Sequence, residues 1–146
     1  MLVIKNQVRS IAKKANVKPK AFHAQVDQTF EDCNEDTKTK IEAKILLNSR
    51  KVELDKIAEI IGGKQDRSKL LLLAYLERQD YFDCNIEKSL RGFLQTFRMA
   101  GVDSQVVFNI LEKFGDKYYE KDTTKLFTSA EEAYNFAYLL IVLQTC

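Results

Sequence analysis

Tryptophan is absent from this chain, and proline and histidine occur once each. Glycine is limited to five positions in 146 residues, which leaves little room for disorder or low-complexity linkers. The three cysteines, Cys33, Cys84 and Cys146, are odd in number, far apart and without a histidine at ligand spacing. A disulfide framework or a zinc site would need pairs such as C-x-x-C, so reduced thiols of a cytosolic protein are expected, with no metal and no cofactor. Charge of one sign is also lacking. Lysine and arginine total 23 against 21 acidic residues, spread evenly, so the basic stripe that nucleic-acid binding requires is missing. The longest apolar run, FAYLLIVL at 136–143, is too short to cross a bilayer. The first residues, MLVIKNQVRSIAKKAN, lack the apolar core and cleavage site of a secretory signal. A soluble chain is expected, its residues 1–146 forming one domain with a real core.

What is present is helical spacing almost throughout. Ile4, Val8, Ile11, Ala12 and Ala15 fall on one face of a first helix. Pro19 opens a second, with Phe22, Val26, Phe30 and Cys33 on one side. Asp36 or Thr37 is the expected cap of a third, whose inner residues are Ile41, Ile45 and Leu46. DKIAEII then ends at Gly62-Gly63, which suits a left-handed cap. In SKLLLLAYLER, Ser68 is the expected cap and Leu70 to Leu73 are expected to be nearly all buried. Ile86, Leu90, Phe93, Leu94 and Phe97 share a face of the next helix, as do Val107, Ile110, Leu111, Phe114 and Tyr118 of the one after. Ser129 and Glu132 have the spacing of a capping box before a last helix, apolar all round towards its end. No stretch alternates as a strand, and no period of 30 to 45 residues recurs. The predicted fold is all-α, an array of about eight or nine helices.

Local motifs offer little chemistry. IGGKQDRS lacks the spacing of a phosphate-binding loop and follows a helix rather than a strand. His23 has no acid or nucleophile at fixed spacing and reads as a surface residue. Glu131 and Glu132 suit a helix N-terminus through the macrodipole, and Tyr118 and Tyr119 read as core and edge.

A resemblance supplies more. From about residue 36 the order of segments is similar to the Sec-seven domain, the exchange-factor module of ADP-ribosylation factor (Arf) GTPases. It is carried by ILLNSRKVELDKIAEIIGG, by AYLERQDYFDCNIEKSLRGFLQTFRMAG and by LEKFGDKYYEKDTTKLFTSAEEAYNFAYLLIVLQT. In the second stretch Ala74, Tyr81, Asp83, Asn85, Leu90, Arg91, Phe93, Leu94, Phe97, Arg98 and Gly101 match the family pattern, and the run L-R-x-F-L-x-x-F-R is its most specific part. In the third, Glu112, Phe114, Tyr118, Phe127, Ser129, Tyr134, Ala137, Leu143 and Thr145 match. The resemblance implies a right-handed superhelical array of helices with an apolar groove for an Arf-family GTPase. It also implies a place in vesicle traffic, in the cytoplasm and peripheral to Golgi or endosomal membranes.

In that family the loop after F-R-L-P-G carries a glutamate whose charge opposes the β-phosphate and competes for magnesium. Here the loop is Phe97–Gln105, FRMAGVDSQ. Aligned without a gap, Val102 takes the glutamate's place; with one insertion, Asp103 does, one methylene shorter. Ala100 replaces the proline, and Val106-Val107-Phe108-Asn109 replaces a charged run. The second groove motif is reduced to Gln144-Thr145-Cys146. By the resemblance, Phe97, Arg98, Met99, Gly101, Val107, Ile110, Tyr138, Val142, Gln144 and Thr145 are the partner-binding residues, and Asp103 or Val102 stands at the catalytic position. The apolar end of the last helix calls for a cover: a partner, a second copy or a further segment. Three functions stay open: a GTPase-binding module with weak or lost exchange, an active exchange factor using Asp103, and a helical scaffold that binds no GTPase.

Overall fold

The computed structural model describes residues 2–79, 85–99, 101–122 and 124–145, and the side chains of 5–143 within them. Tyr81, Asp83, Cys84, Ala100 and Cys146 lie outside the described residues. Among the described residues there are eight helices and no strand: α1 (Leu2–Val17), α2 (Ala21–Thr29), α3 (Glu35–Asn48), α4 (Leu54–Ile61), α5 (Asp66–Glu77), α6 (Ile86–Leu94), α7 (Ser104–Lys121) and α8 (Ala130–Thr145). None of these is long and apolar enough to cross a membrane.

The core follows the helical periodicity. Ile11, Ala15, Phe22, Val26, Ile57, Ile61, Phe93, Ile110 and Phe114 are fully enclosed or nearly so, each burial contributing roughly 1.5–3 kcal/mol for the larger side chains. In α5, however, only Leu71 and Leu72 of the four successive leucines turn inward; Leu70 is 43% exposed and Leu73 48%. A helix places four consecutive residues around its whole circumference, so α5 buries the side facing its neighbours and leaves the other to solvent.

An aromatic chain joins the C-terminal helices. Phe93 of α6 meets Tyr75 of α5 edge-on at 6.2 Å, Phe97 edge-on at 5.0 Å and Phe114 of α7 in a stack at 5.3 Å. Phe114 leads on to Tyr118 at 6.3 Å, Tyr118 to Phe127 at 6.1 Å and Phe127 to Phe136 of α8 at 5.6 Å. Gly115 lets α7 and α8 approach closely, since a Cβ there would stand 2.9 Å from the Tyr134 backbone.

Four local expectations change in the tertiary structure. Asn34, not Asp36 or Thr37, caps α3, its side chain accepting from the Thr37 N–H at 2.8 Å. Gly62 closes α4 at φ −99°, outside the left-handed region. Its lack of a side chain makes room for α7 instead: a Cβ would overlap the Val106 Cγ1 and come within 3.0 Å of Ile110. Ser68 lies inside α5, whose first residue is Asp66, and is buried rather than capping. His23 is not a free surface residue. Its Nδ1 is 2.6 Å from the Glu42 Oε2, and its Nε2 is 3.3 Å from the Ser68 Oγ.

Glu42 is 0% exposed, and an unpartnered carboxylate there would be expensive. Besides His23 it accepts from the Arg67 Nε at 3.0 Å, while the Arg67 Nη1 is 2.9 Å from the Asp27 Oδ1. The cluster fastens α2, α3 and α5 together. A serine, a histidine and a glutamate in this order resemble a hydrolytic triad, but the Ser68 hydroxyl is covered: a Cβ on Gly63 would stand 2.7 Å from it.

The α7–α8 connection is held by Asp122, whose Oδ1 accepts from the Thr124 hydroxyl at 2.6 Å and N–H at 3.0 Å, and whose Oδ2 accepts from the Leu126 N–H at 3.2 Å. At the start of α8, Ser129 accepts from the Glu132 N–H at 3.2 Å, half of the expected capping box. The Glu132 carboxylate turns to the Thr128 N–H and hydroxyl instead.

Truncating Phe93 to alanine is expected to cost roughly 3–5 kcal/mol, because Tyr75, Phe97 and Phe114 lose a common neighbour; urea unfolding measures it, and a loss below about 1 kcal/mol refutes the aromatic chain as a support. Asp122 makes a pH prediction. The hydrogen bond from the Thr124 hydroxyl, ahead of the other donors, holds its carboxyl below the usual range. A lowered folded-state value means stability that is complete above the ordinary aspartate range and is lost as pH falls through the folded-state value. Asp122→Asn is therefore expected to melt lower than the parent at neutral pH and to lose less on acidification; parallel melting curves across the acid range would count against it.

Candidate functional site

The loop between α6 and α7 is built from its backbone outward. Leu94 ends α6, and the Thr96 hydroxyl closes the turn by donating to the Phe93 carbonyl at 2.7 Å. The Thr96 carbonyl accepts from the Tyr75 hydroxyl at 3.4 Å, and burial pushes that hydroxyl far above its ordinary pKa, so it stays a donor. Phe97 plugs into the core at 3% exposure. The Arg98 N–H donates to the Leu54 carbonyl at 3.1 Å, tying the loop to the start of α4 while the Arg98 side chain points to solvent. The chain then turns, the Val102 N–H donating to the Met99 carbonyl at 3.1 Å. Gly101 has φ +78°, a conformation that a side chain resists.

Asp103 follows in extended conformation as the N-cap of α7, its carboxylate accepting from the Gln105 N–H at 2.8 Å. Its carbonyl takes the first helical bond, from the Val107 N–H at 3.1 Å. Val102 is half-buried and packs against the core. Beyond the cap, the Gln105 side chain donates to Asn109 at 3.1 Å, and Asn109 donates to the Gly62 carbonyl at 3.1 Å, closing the end of α4. Val106 and Val107 are half-buried, and Phe108 meets Tyr138 of α8 at a ring distance of 5.6 Å. Phe108 and Tyr138 thus join the outer surfaces of α7 and α8.

A family model described as the Sec7 domain matches residues 4–146. The chain belongs to the Sec7 domain family. It is 35% identical over 89 residues to brefeldin A-inhibited guanine nucleotide-exchange protein 2 of Arabidopsis thaliana, covering 61% of this chain and 5% of that protein. It is 28% identical over 148 residues to the ADP-ribosylation factor guanine nucleotide-exchange factor sec71 of Schizosaccharomyces pombe, covering 97% of this chain and 8% of that one. The chain therefore spans less than a tenth of the length of these curated relatives. The crystal structure of the Sec7p catalytic domain superimposes with a TM-score of 0.77 at 24% identity, over 93% of this chain and 73% of the other, and establishes the common fold.

Within this Sec7 fold the sequence-derived site residues separate into two groups. Arg98 and Gly101 are exposed, Met99 and Val107 are half-buried, and Tyr138 and Val142 of α8 are 38% and 37% exposed. These present surface. Phe97 and Ile110 do not: at 3% and 0% exposure they are core residues that support the face from below. Gln144 and Thr145 stand in the last turn of α8, and their side chains lie outside the described residues. Asp103, expected with Val102 as the alternative at the catalytic position, caps α7 and is exposed. Sequence reasoning passed over Phe108 and Asn109 as lost charges. Their local signal was an aromatic and an amide on the first turns of a helix whose inner face was already assigned. Among the described residues no group of three or more His, Cys, Asp or Glu side chains could hold a metal ion.

Gly101→Ala is expected to destabilise the fold by about 1–2 kcal/mol through the left-handed backbone alone, because nothing lies within 4 Å of where its Cβ would stand. Chemical denaturation tests this. An unchanged midpoint would show that the turn relaxes to another conformation without cost.

Proposed function

We propose that this Sec7 domain engages an Arf-family small GTPase through the apolar face of the α6–α7 loop, α7 and α8, and that its nucleotide-exchange activity is weak or lost. The same reading places its work in vesicle-mediated transport, in the cytoplasm at the surface of Golgi or endosomal membranes. Support for the partner comes from the family itself and from relatives whose names state guanine nucleotide exchange, in one of them on ADP-ribosylation factor.

The observation that carries the loss of exchange is the state of Asp103. Its carboxylate is already committed to the Gln105 N–H at 2.8 Å, and its neighbour Val102 has no charge to offer. Releasing the cap would cost only about 1 kcal/mol, roughly fivefold in rate. Reach decides the matter: aspartate is one methylene shorter than glutamate, and misplacing a reacting group by about 1 Å costs on the order of 10²-fold. A carboxylate that cannot meet the β-phosphate and magnesium gains nothing from the strong attraction and repulsion available where water is excluded.

Stimulated nucleotide release from an Arf protein separates the alternatives. The parent is expected to stay near the spontaneous rate, Val102→Glu to raise it by tenfold or more, and Asp103→Ala to leave release unchanged while lowering stability by about 1 kcal/mol. Substantial parent activity that Asp103→Ala abolishes would instead make Asp103 the working finger. Capture of the nucleotide-free GTPase is expected to fall with Val107→Asp and Tyr138→Asp, both at surface positions. Absence of any capture would leave a scaffold that binds no GTPase.

A further inference from the structure

A second feature lies away from the α6–α7 loop. A cavity of about 740 Å³ opens between the first half of α1 and the last turns of α3. Its floor is apolar, made by Val8, Phe30, Ile41 and Ile45; the first three remain half-exposed to it although they rest on the core. The opening follows from how α1 is fastened. Among the described residues its side-chain hydrogen bonds to other elements are at its C-terminal end, where the Lys14 Nζ donates to the Gln25 side chain at 2.7 Å. There too the Asn16 side chain donates to the Lys51 carbonyl at 2.9 Å and accepts from the Glu53 N–H at 2.7 Å. The cavity lies beside the other end, at Lys5, Val8 and Arg9.

The rim has one sign of charge. Lys5 and Arg9 of α1, Lys44 of α3 and Lys51 just beyond it surround the floor, all four exposed. Among the described residues no acidic side chain lines the cavity, and none of these four cations is in an ion pair. On a chain whose net charge is only +2, four uncompensated cations around one apolar hollow form a local excess. Unpaired cations around an apolar hollow favour an anion with a greasy body.

We propose that this cavity binds a single-chain anionic amphiphile, a long-chain fatty-acid anion, with its alkyl chain on the Val8–Phe30–Ile41–Ile45 floor and its carboxylate among the rim cations. The volume falls within the roughly 300–1,000 Å³ of small-ligand pockets. A bare phosphate would leave the floor unfilled, and a bilayer surface would meet the rim without entering the hollow. The site is independent of the GTPase reading, sharing no residue with it.

Titration of the intact chain with hexadecanoate below its micellar concentration tests the proposal. Expected are saturable binding at one site per chain and a rise in melting temperature. Affinity should weaken about fourfold for each methylene removed from the chain. The uncharged alcohol of equal length should bind at least tenfold more weakly. The double variant Arg9→Glu/Lys44→Glu should lose at least tenfold. Asn48→Trp, a lining position exposed to solvent, should abolish binding by filling the hollow with an unchanged helical circular-dichroism spectrum. The proposal is overturned by no saturable binding, by affinity independent of chain length, by affinity untouched in both variants, or by binding confined to vesicles of anionic phospholipid.

Discussion

The C-terminal half of this molecule depends on one side chain, the Phe93 ring. It stacks on Phe114 at 5.3 Å while taking the edges of Phe97 and Tyr75 at 5.0 and 6.2 Å. Rings so arranged gain from their quadrupoles beyond the area they bury. The consequence is geometric: α5, α6 and α7 become one body, and the loop that leaves α6 is pinned at Phe97 before its polar residues begin. What the loop then presents is decided by short-range bonds, the Arg98 N–H on the Leu54 carbonyl and Asp103 on its own helix.

At the other end a charge plays the corresponding part. Glu42 is wholly enclosed and can be so only because His23 and Arg67 meet its two oxygens. Removing one partner of such a group is far costlier than an exposed ion pair is helpful. The cluster holds α2 and α5 to α3, and α1 hangs on this assembly by its C-terminal end. The cavity with its cationic rim is thus a product of where α1 is fastened, just as the apolar face near α8 is a product of the aromatic chain.

The all-α architecture was legible because its signal is periodic. Ile86, Leu90, Phe93 and Phe97 repeat at helical spacing, and all four are buried. The run Leu70–Leu73 was misread because it is continuous: without a polar gap nothing in it marks the inner side, and neighbouring helices choose. Ser68 was misread as a helix cap, and Gly62, which does close α4, was misread in its left-handed conformation. Both also serve a helix distant in sequence, Gly62 as a notch for Val106 and Ser68 as a partner of His23.

Family membership and the all-α class, with about eight or nine helices, were legible in the sequence alone, since these rest on residue types in order: L-R-x-F-L-x-x-F-R, then Gly101, Val102 and Asp103 in the loop that follows. Only the tertiary structure decided what those residues are doing. Phe97 and Ile110 went into the core, Asp103 became the N-cap of α7, and Tyr138 came beside Phe108 from another helix. The physical reason is the range of the forces. Periodicity and pattern are carried along the chain, whereas burial, the partner of a carboxylate and the sign of charge around a hollow depend on which distant segments are brought together.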